Sequence, residues 1–280
     1  MTIRRRDFLH RLGAAGMAAT LPWHRIERTP KLGAIGIQLY TVRRDLARDV
    51  EGTLAKIAEI GYQEVEFAGY PDGTAASLRA ILDRLRLTAP SGHVPFQSIR
   101  SAWEQTLDQA AMLGQRYVVV AWVPAEERQT VDGWKRVAAL FNKAGEEAKK
   151  RKIQFAYHNH DFEFVPIDGT IPYELLHAGV DSGLVQFELD LYWMIKAGHD
   201  PLRWFTSRPG RFPLLHVKDM DATARKFFAD IGTGTIDFAR VFRRAGQGGV
   251  RHYFYEQDST PGSPFDSAKV AYEFLRKLTW

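Results

Sequence analysis

The amino-acid sequence predicts a single α/β domain folded as a closed (β/α)8 TIM barrel, on the strength of three observations. From Leu32 onward, short runs rich in β-branched and aromatic residues alternate eight times with amphipathic stretches. The length of 280 residues fits one barrel once a short leader is set aside. Gly61, Gly114 and Gly179 stand where predicted helices end, as expected for C-terminal caps.

The predicted strands and helices alternate in order along residues 31–280, which form one predicted domain. The strands lie near 33–40, 62–67, 88–94, 116–122, 153–159, 184–190, 213–217 and 250–256. The helices lie near 46–60, 74–86, 101–113, 131–151, 171–179, 200–207, 237–246 and 264–277. Eight strand–helix units in this length imply a closed barrel rather than an open doubly wound sheet.

Composition excludes several classes of protein. Hydrophobic residues make up 45% and charged residues 25% of the chain, an ordinary globular balance. Cysteine is absent, which excludes disulfides, thiolate metal ligands and a cysteine nucleophile. The sequence has no apolar run of about 18 residues, so we expect no membrane insertion of the mature protein. No glycine-rich phosphate-binding motif follows a strand, so we expect no nucleotide cofactor.

The N-terminal residues 1–30 are predicted to be a leader. Residues 4–10 read Arg4-Arg5-Arg6-Asp7-Phe8-Leu9-His10 and precede the small-residue stretch Leu12 to Leu21. This resembles a bacterial twin-arginine export signal and predicts a periplasmic protein, although no cleavage site is evident. The alternative is a basic N-terminal tail without an export role. The leader holds +4 of the net charge of +5, so the nearly neutral body predicts no nucleic-acid partner.

The C-terminal ends of strands five to eight each carry a side chain that can bind a metal ion. These residues are His158, Asp190, His216 and Glu256, spaced by 32, 26 and 40 residues, about one strand–helix unit each. Because active sites of such barrels lie at this end of the strands, we expect the four to converge on one divalent ion. Two imidazoles and two carboxylates suit Mn, Co, Fe or Zn better than Mg.

Other roles for these four side chains remain open from the residues alone. A single His or Asp at a strand end often caps a helix or is a hydrogen-bonded core residue. Asp190 and Glu256 also have nearby partners for ion pairs, Lys218 and Arg251.

At these residues the chain resembles the xylose isomerase-like barrel superfamily, the sugar phosphate isomerase/epimerase group, from about Gly33 to Leu278. The segments that carry the resemblance are Gly36-Ile37-Gln38-Leu39-Tyr40, Val65-Glu66-Phe67, Gly92-His93-Val94, His158-Asn159-His160, Asp190-Leu191-Tyr192-Trp193, His216-Val217-Lys218-Asp219 and Tyr255-Glu256. That superfamily includes ketose 3-epimerases, inosose dehydratase, hydroxypyruvate isomerase and the class II apurinic endonucleases. The resemblance implies a divalent metal and proton abstraction next to a carbonyl group.

Two residues depart from the epimerase branch, whose ligands on strands five to eight run Glu, Asp, His, Glu. His158 stands where those enzymes carry a glutamate, and Glu163 is the alternative ligand at that place. Trp193 stands where they carry a histidine that contacts substrate. The missing glutamate leaves one strong base, Glu256, which favours isomerisation or elimination over symmetric 3-epimerisation.

The sequence therefore predicts a metal-dependent isomerase or epimerase acting on a free or oxidised (keto) sugar or polyol. Glu256, Lys218 and His160 are the predicted catalytic residues. The predicted substrate contacts are Gln38, Tyr40, Glu66, His93 and Trp193. The alternatives are a dehydratase or lyase that performs β-elimination on a keto-sugar or keto-glycoside, and a non-catalytic sugar-binding barrel. A class II apurinic endonuclease is disfavoured by the near-neutral body and the sparse ligand set. The substrate's identity and any homo-oligomer stay open.

Overall fold

The computed structural model describes residues 30–71 and 73–280. The predicted twin-arginine segment lies outside these residues. The described strands are β1 (Gly36–Gln38), β2 (Glu64–Ala68), β3 (Thr88–Val94), β4 (Tyr117–Val120), β5 (Gln154–His158), β6 (Val185–Asp190), β7 (Leu214–Val217), β8 (Asp219–Met220), β9 (Phe228–Ala229) and β10 (His252–Tyr255). Eight of them close a parallel barrel in the order β1-β10-β7-β6-β5-β4-β3-β2, which confirms the predicted fold.

Helices surround the barrel. They are α1 (Arg43–Leu46), α2 (Val50–Ile60), α3 (Ala75–Leu85), α4 (Ser98–Ser101), α5 (Trp103–Leu113), α6 (Val131–Lys150), α7 (Pro172–Gly179), α8 (Leu191–Lys196), α9 (Pro201–Ser207), α10 (Phe238–Gly248) and α11 (Pro264–Lys277). Short 3-10 turns occupy Leu39–Val42, Ala125–Glu127 and Phe162–Phe164. None of the helices in residues 30–71 and 73–280 is both long and apolar enough to cross a bilayer.

Three local features differ from the sequence prediction. The small antiparallel pair of β8 and β9 was not predicted, because its strands are only two residues long. The helix α8 was also missed, because Asp190 ends β6 and at once caps α8 by accepting the Trp193 backbone N–H at 2.9 Å. Gly61 and Gly114 adopt the left-handed conformation expected of caps, but Gly179 does not, since it is the last residue of α7.

The barrel interior changes character along its axis. A separate apolar cluster fills its N-terminal end and consists of Tyr117, Val119, Ala156, Leu214 and Phe254. Toward the C-terminal end the buried inward side chains become polar, with Glu66, Glu188 and His216 fully shielded from solvent. The register pairs His216 with Phe254 on one side and with Asp190 on the other. Within residues 30–71 and 73–280, the polar layer therefore rests on an apolar plug and opens toward the C-terminal mouth.

Candidate functional site

A cavity of about 650 Å³ occupies the C-terminal mouth of the barrel. Its lining includes His158, Lys218 and Glu256 from the strand ends, together with His93 and His160. Aromatic side chains form the opposite wall, toward the ends of β4 and β5: Trp122 is 51% exposed and lies 4.9 Å from the Phe162 ring. Polar groups on one side and aromatic faces on the other suit a sugar, which has both hydroxyl groups and apolar faces.

The Lys218 ammonium lies among three carboxylates. Its Nζ is 3.1 Å from Asp190 Oδ2, 2.8 Å from Glu256 Oε2 and 3.0 Å from Asp258 Oδ1. Burial alone would lower the pKa of Lys218, but these carboxylates outweigh it and hold that pKa well above its ordinary value. Burial likewise acts to raise the pKa of Glu256, yet Lys218 and His216 keep it well below its usual range. Both side chains are therefore charged at neutral pH.

Asp190, His216 and Glu256 converge, as the sequence predicts. His216 Nδ1 is 2.8 Å from Glu256 Oε2 and 4.0 Å from Asp190 Oδ2. His158 Nε2 is 3.7 Å from the same Asp190 oxygen. An ion with ligands at about 2.1 Å holds neighbouring donor atoms about 3.0–3.4 Å apart. The donor atoms of Asp190, His216 and Glu256 all lie within 4.8 Å of one another, and His158 adjoins this group through Asp190, so the set fits a divalent metal and leaves its identity undetermined.

A second group of metal-capable side chains lies directly beneath and shares His216. It consists of His93, His158, Glu188 and His216, whose donor atoms all lie within 4.8 Å of one another. Glu188 was missed in the sequence, although it stands two residues before Asp190 and so faces the same side of β6. Its Oε2 lies 2.6 Å from His93 Nε2, 3.0 Å from His158 Nδ1 and 3.2 Å from His216 Nε2.

Gln38 and Glu66, two predicted substrate contacts, lie in this lower layer. Both are fully buried, and Gln38 Nε2 donates to Glu66 Oε2 at 2.9 Å. The same Glu66 oxygen is 2.6 Å from His216 Nε2. Neither side chain lines the cavity, whereas the other predicted contacts, Tyr40, His93 and Trp193, do.

His160 lies at the cavity beside Trp122 and Trp193, with ring centroids 5.3 Å and 5.5 Å away. Burial, reinforced by the Lys218 charge, lowers the pKa of His160 to about 3, so its imidazole is neutral. Glu163, the alternative ligand, turns away from the cavity. It contacts the Tyr157 hydroxyl and accepts the His160 backbone N–H at 2.8 Å, and burial raises its pKa to about 8.

The site carries more negative than positive charge. Its buried or partly buried carboxylates outnumber its two ammonium groups, Lys196 and Lys218. The carboxylates are Glu66, Glu188, Asp190, Glu256 and Asp258. Burying like charges is costly unless cations compensate them. The excess must be balanced by protonated imidazoles or by a bound cation.

Comparison with known proteins matches this architecture. The sequence profile of the family described as "Xylose isomerase-like TIM barrel" matches residues 54–278. An inosose dehydratase from Lacticaseibacillus casei is 21% identical over 276 residues, which cover 82% of this chain and 91% of that protein. An inosose dehydratase from Bacillus thuringiensis is 25% identical over 167 residues, covering 53% of this chain and 55% of that protein.

A solved structure agrees with these relatives. The crystal structure of a sugar phosphate isomerase/epimerase from Parabacteroides distasonis superposes with a TM-score of 0.77 at 26% identity, covering 91% of this chain and 98% of that one. Relatives with these names support a sugar-modifying enzyme. Since the profile matches most of a barrel with the expected strand ends, the chain belongs to the xylose isomerase-like TIM barrel family.

Proposed function

We propose that this chain is a metal-dependent dehydratase that eliminates water from a keto-sugar or a cyclic keto-polyol. The observation that carries the proposal is the cluster formed by the Lys218 ammonium with the Glu256 and Asp258 carboxylates on one side of the cavity. Lys218 directly follows β7, and Glu256 and Asp258 follow β10, whereas Trp122 and Phe162 occupy the opposite wall. The inosose dehydratases that the chain resembles support elimination as the reaction.

Acid–base groups on one face of the substrate suit a syn elimination, in which the proton and the hydroxyl group leave from the same side. The Glu256 carboxylate takes the proton from the carbon next to the substrate carbonyl, and the bond from the neighbouring carbon to its hydroxyl oxygen breaks. Glu256 then returns the same proton to the departing oxygen, so that water leaves and a carbon–carbon double bond remains. A 3-epimerase instead needs proton carriers on both faces of one carbon. On the aromatic side the cavity is lined by the neutral His160 and by Asp161, without the clustered charges of the other side.

Two further side chains hold the substrate. The Lys218 ammonium stabilises the negative charge that develops on the carbonyl oxygen, since it is held charged in a buried setting. His160, with one ring N–H and one free nitrogen, hydrogen bonds to substrate hydroxyls. Trp122 and Trp193 cover the apolar face of the ring and exclude water from it.

We assign the ion to His158, Asp190, His216 and Glu256 rather than to the lower group. In the lower group the nitrogen–oxygen contacts of 2.6 Å and 3.0 Å have hydrogen-bond geometry, which leaves no room for an ion between those atoms. The upper group has one such contact, His216 Nδ1 to Glu256 Oε2 at 2.8 Å, so the assignment rests on the wider spacing around Asp190. Around Asp190 Oδ2 the imidazole nitrogens stand 3.7 Å and 4.0 Å away. When bound, the ion supplies Lewis-acid stabilisation of the substrate oxygens.

The test combines a substrate screen with one variant. Metal-loaded protein is incubated in D2O with cyclic keto-polyols and keto-sugars, and water loss is followed by the absorbance of the unsaturated product. We expect Glu256→Gln to lower turnover roughly a hundredfold at saturating metal. Glu64→Gln is the control. Glu64 is the first residue of β2, at the N-terminal end of the barrel and away from the cavity, so this variant should keep full activity.

Isomerisation is the second candidate, favoured by the Parabacteroides distasonis relative. It uses the same proton abstraction, but Glu256 delivers a proton to the adjacent carbon and no water is lost. Deuterium enters the product to the extent that the protonated Glu256 exchanges with D2O before this delivery. Efficient, reversible 3-epimerisation of simple ketoses would contradict the one-base mechanism and reveal a second proton carrier on the aromatic wall.

A further inference from the structure

The buried carboxylate of Glu188 has no role in the fold that explains its position. It is fully shielded from solvent at the centre of the barrel, where burying a charge is costly. Its Oε1 has no hydrogen-bond partner among the described residues, while its Oε2 lies within 3.2 Å of three imidazole nitrogens. A side chain that served only packing would not direct one oxygen at three histidines and leave the other unpaired.

The contact with His158 decides which nitrogen of that ring carries the proton. Glu188 Oε2 is 3.0 Å from His158 Nδ1 with hydrogen-bond geometry, and a carboxylate can only accept. The proton therefore sits on Nδ1, and the lone pair sits on Nε2. That nitrogen is 3.7 Å from Asp190 Oδ2, another acceptor. Two acceptors therefore face each other across a gap that a bound cation would fill.

The same carboxylate constrains the neighbouring rings. His93 Nε2 lies 2.6 Å from Glu188 Oε2, and the His93 and His216 rings stack with centroids 5.3 Å apart. The His158 and His216 rings meet edge to face at 4.5 Å. One oxygen thus ties together the imidazoles on β3, β5 and β7.

We infer that Glu188 is a positioning residue that fixes His158 in its Nδ1–H tautomer and presents the Nε2 lone pair to the metal. In the epimerase branch a glutamate at the end of strand five binds the metal directly. Here His158 would bind the metal, and the negative charge is carried by Glu188, which lies behind His158 and deeper in the barrel. A carboxylate behind a ligating histidine also makes that nitrogen a better donor, and its loss typically weakens metal binding 10–100-fold. This inference rests on the metal assignment of the proposed function and not on the reaction.

The test has one readout that does not involve metal. In metal-free protein with ¹⁵N-labelled histidine, NMR reports the tautomer of His158. We expect the Nδ1–H form in the wild type and its loss in Glu188→Gln, whose amide can donate as well as accept. Titration with Zn²⁺ or Co²⁺ should then show a dissociation constant raised roughly 10–100-fold in Glu188→Gln.

Two further variants keep the result interpretable. Glu188→Asp retains the charge and should keep the Nδ1–H tautomer and most of the metal affinity, even if Glu188→Gln folds poorly. Glu64→Gln is the matched control, because Glu64 Oε2 lies 2.8 Å from His252 Nδ1 in another pair of β strands. It should leave metal binding unchanged.

The outcomes separate the inference from the proposed function. An unchanged tautomer and wild-type metal affinity in Glu188→Gln would overturn the inference, as would an equal loss of affinity in Glu64→Gln. If the tautomer and the affinity both change as expected but no keto-sugar is dehydrated, the positioning role stands and only the reaction assignment fails.

Discussion

Replacing Glu163 by glutamine tests how the loop that carries His160 is held. Burial raises the pKa of Glu163 from its ordinary value of 4.5 to about 8 in the folded protein. The folded state therefore binds this proton more tightly than the unfolded state does. Stability is highest below pH 4.5 and falls as the pH rises toward about 8, above which this penalty is constant.

The size of the effect follows from the shift. The difference between the two pKa values corresponds to at most about 5 kcal/mol of unfolding free energy. Between pH 5 and pH 8 only part of this range is crossed, and relaxation around the charge reduces it further, so we expect a fall of about 2–3 kcal/mol from this group. Glutamine cannot ionise, and its amide oxygen still accepts the His160 N–H that Glu163 accepts at 2.8 Å.

The assay is urea unfolding of wild type and Glu163→Gln at pH 5, 6.5 and 8. The difference between the two proteins isolates Glu163, because the other titrating groups are common to both. We expect the variant to be the more stable protein at pH 8 and the two to converge toward pH 5. Parallel pH profiles would refute the reasoning, since they would mean that Glu163 is ionised at no cost in the folded state.

Three further predictions concern packing, metal and export. Gly145→Ala should destabilise the protein by about 1–3 kcal/mol in urea unfolding, because its Cβ would lie 2.5 Å from a backbone carbonyl oxygen. Gly246→Ala, in a helix with no atom within 4 Å of the new Cβ, should instead stabilise by about 0.5–1 kcal/mol, and equal effects would argue against the clash. His216→Ala should abolish stoichiometric metal by elemental analysis while circular dichroism stays unchanged, whereas full metal content would mean that the site is misplaced. We also propose twin-arginine export to the periplasm, so the double change Arg5→Lys and Arg6→Lys should leave folded protein in the cytoplasm, and unchanged secretion would contradict it.

The sequence predicted the barrel and the residues at its C-terminal rim because both follow from the regular alternation of strands and helices along the chain. Asp190, His216 and Glu256 each lie within one residue of the end of a strand. Parallel strands deliver their ends to one edge, so spacing alone predicted their convergence. Depth inside the barrel is different, because it depends on the stagger between neighbouring strands, which is not written in any one segment. For that reason Glu66 was predicted to contact substrate but lies below His216.

Glu188 was missed for a related reason. Strand alternation places it inward with Asp190, but alternation does not give its depth relative to the neighbouring strands, so the sequence did not bring it to the histidines of β3, β5 and β7. The helix α8 escaped prediction because Asp190 ends a strand and begins a helix in a single residue, with no loop between them.

The apolar plug determines how substrate enters the cavity and how product leaves it. It consists of Tyr117, Val119, Ala156, Leu214 and Phe254. Since these side chains close the N-terminal end of the barrel, substrate and product both pass through the opening at its C-terminal end. Product must depart before the next molecule enters, so accumulating product competes directly with substrate. A molecule longer than the cavity can enter only end-on, with its remainder projecting past the half-exposed Trp122 and Tyr40 into solvent. The reactive end of such a molecule must therefore be a terminal unit and not an internal one.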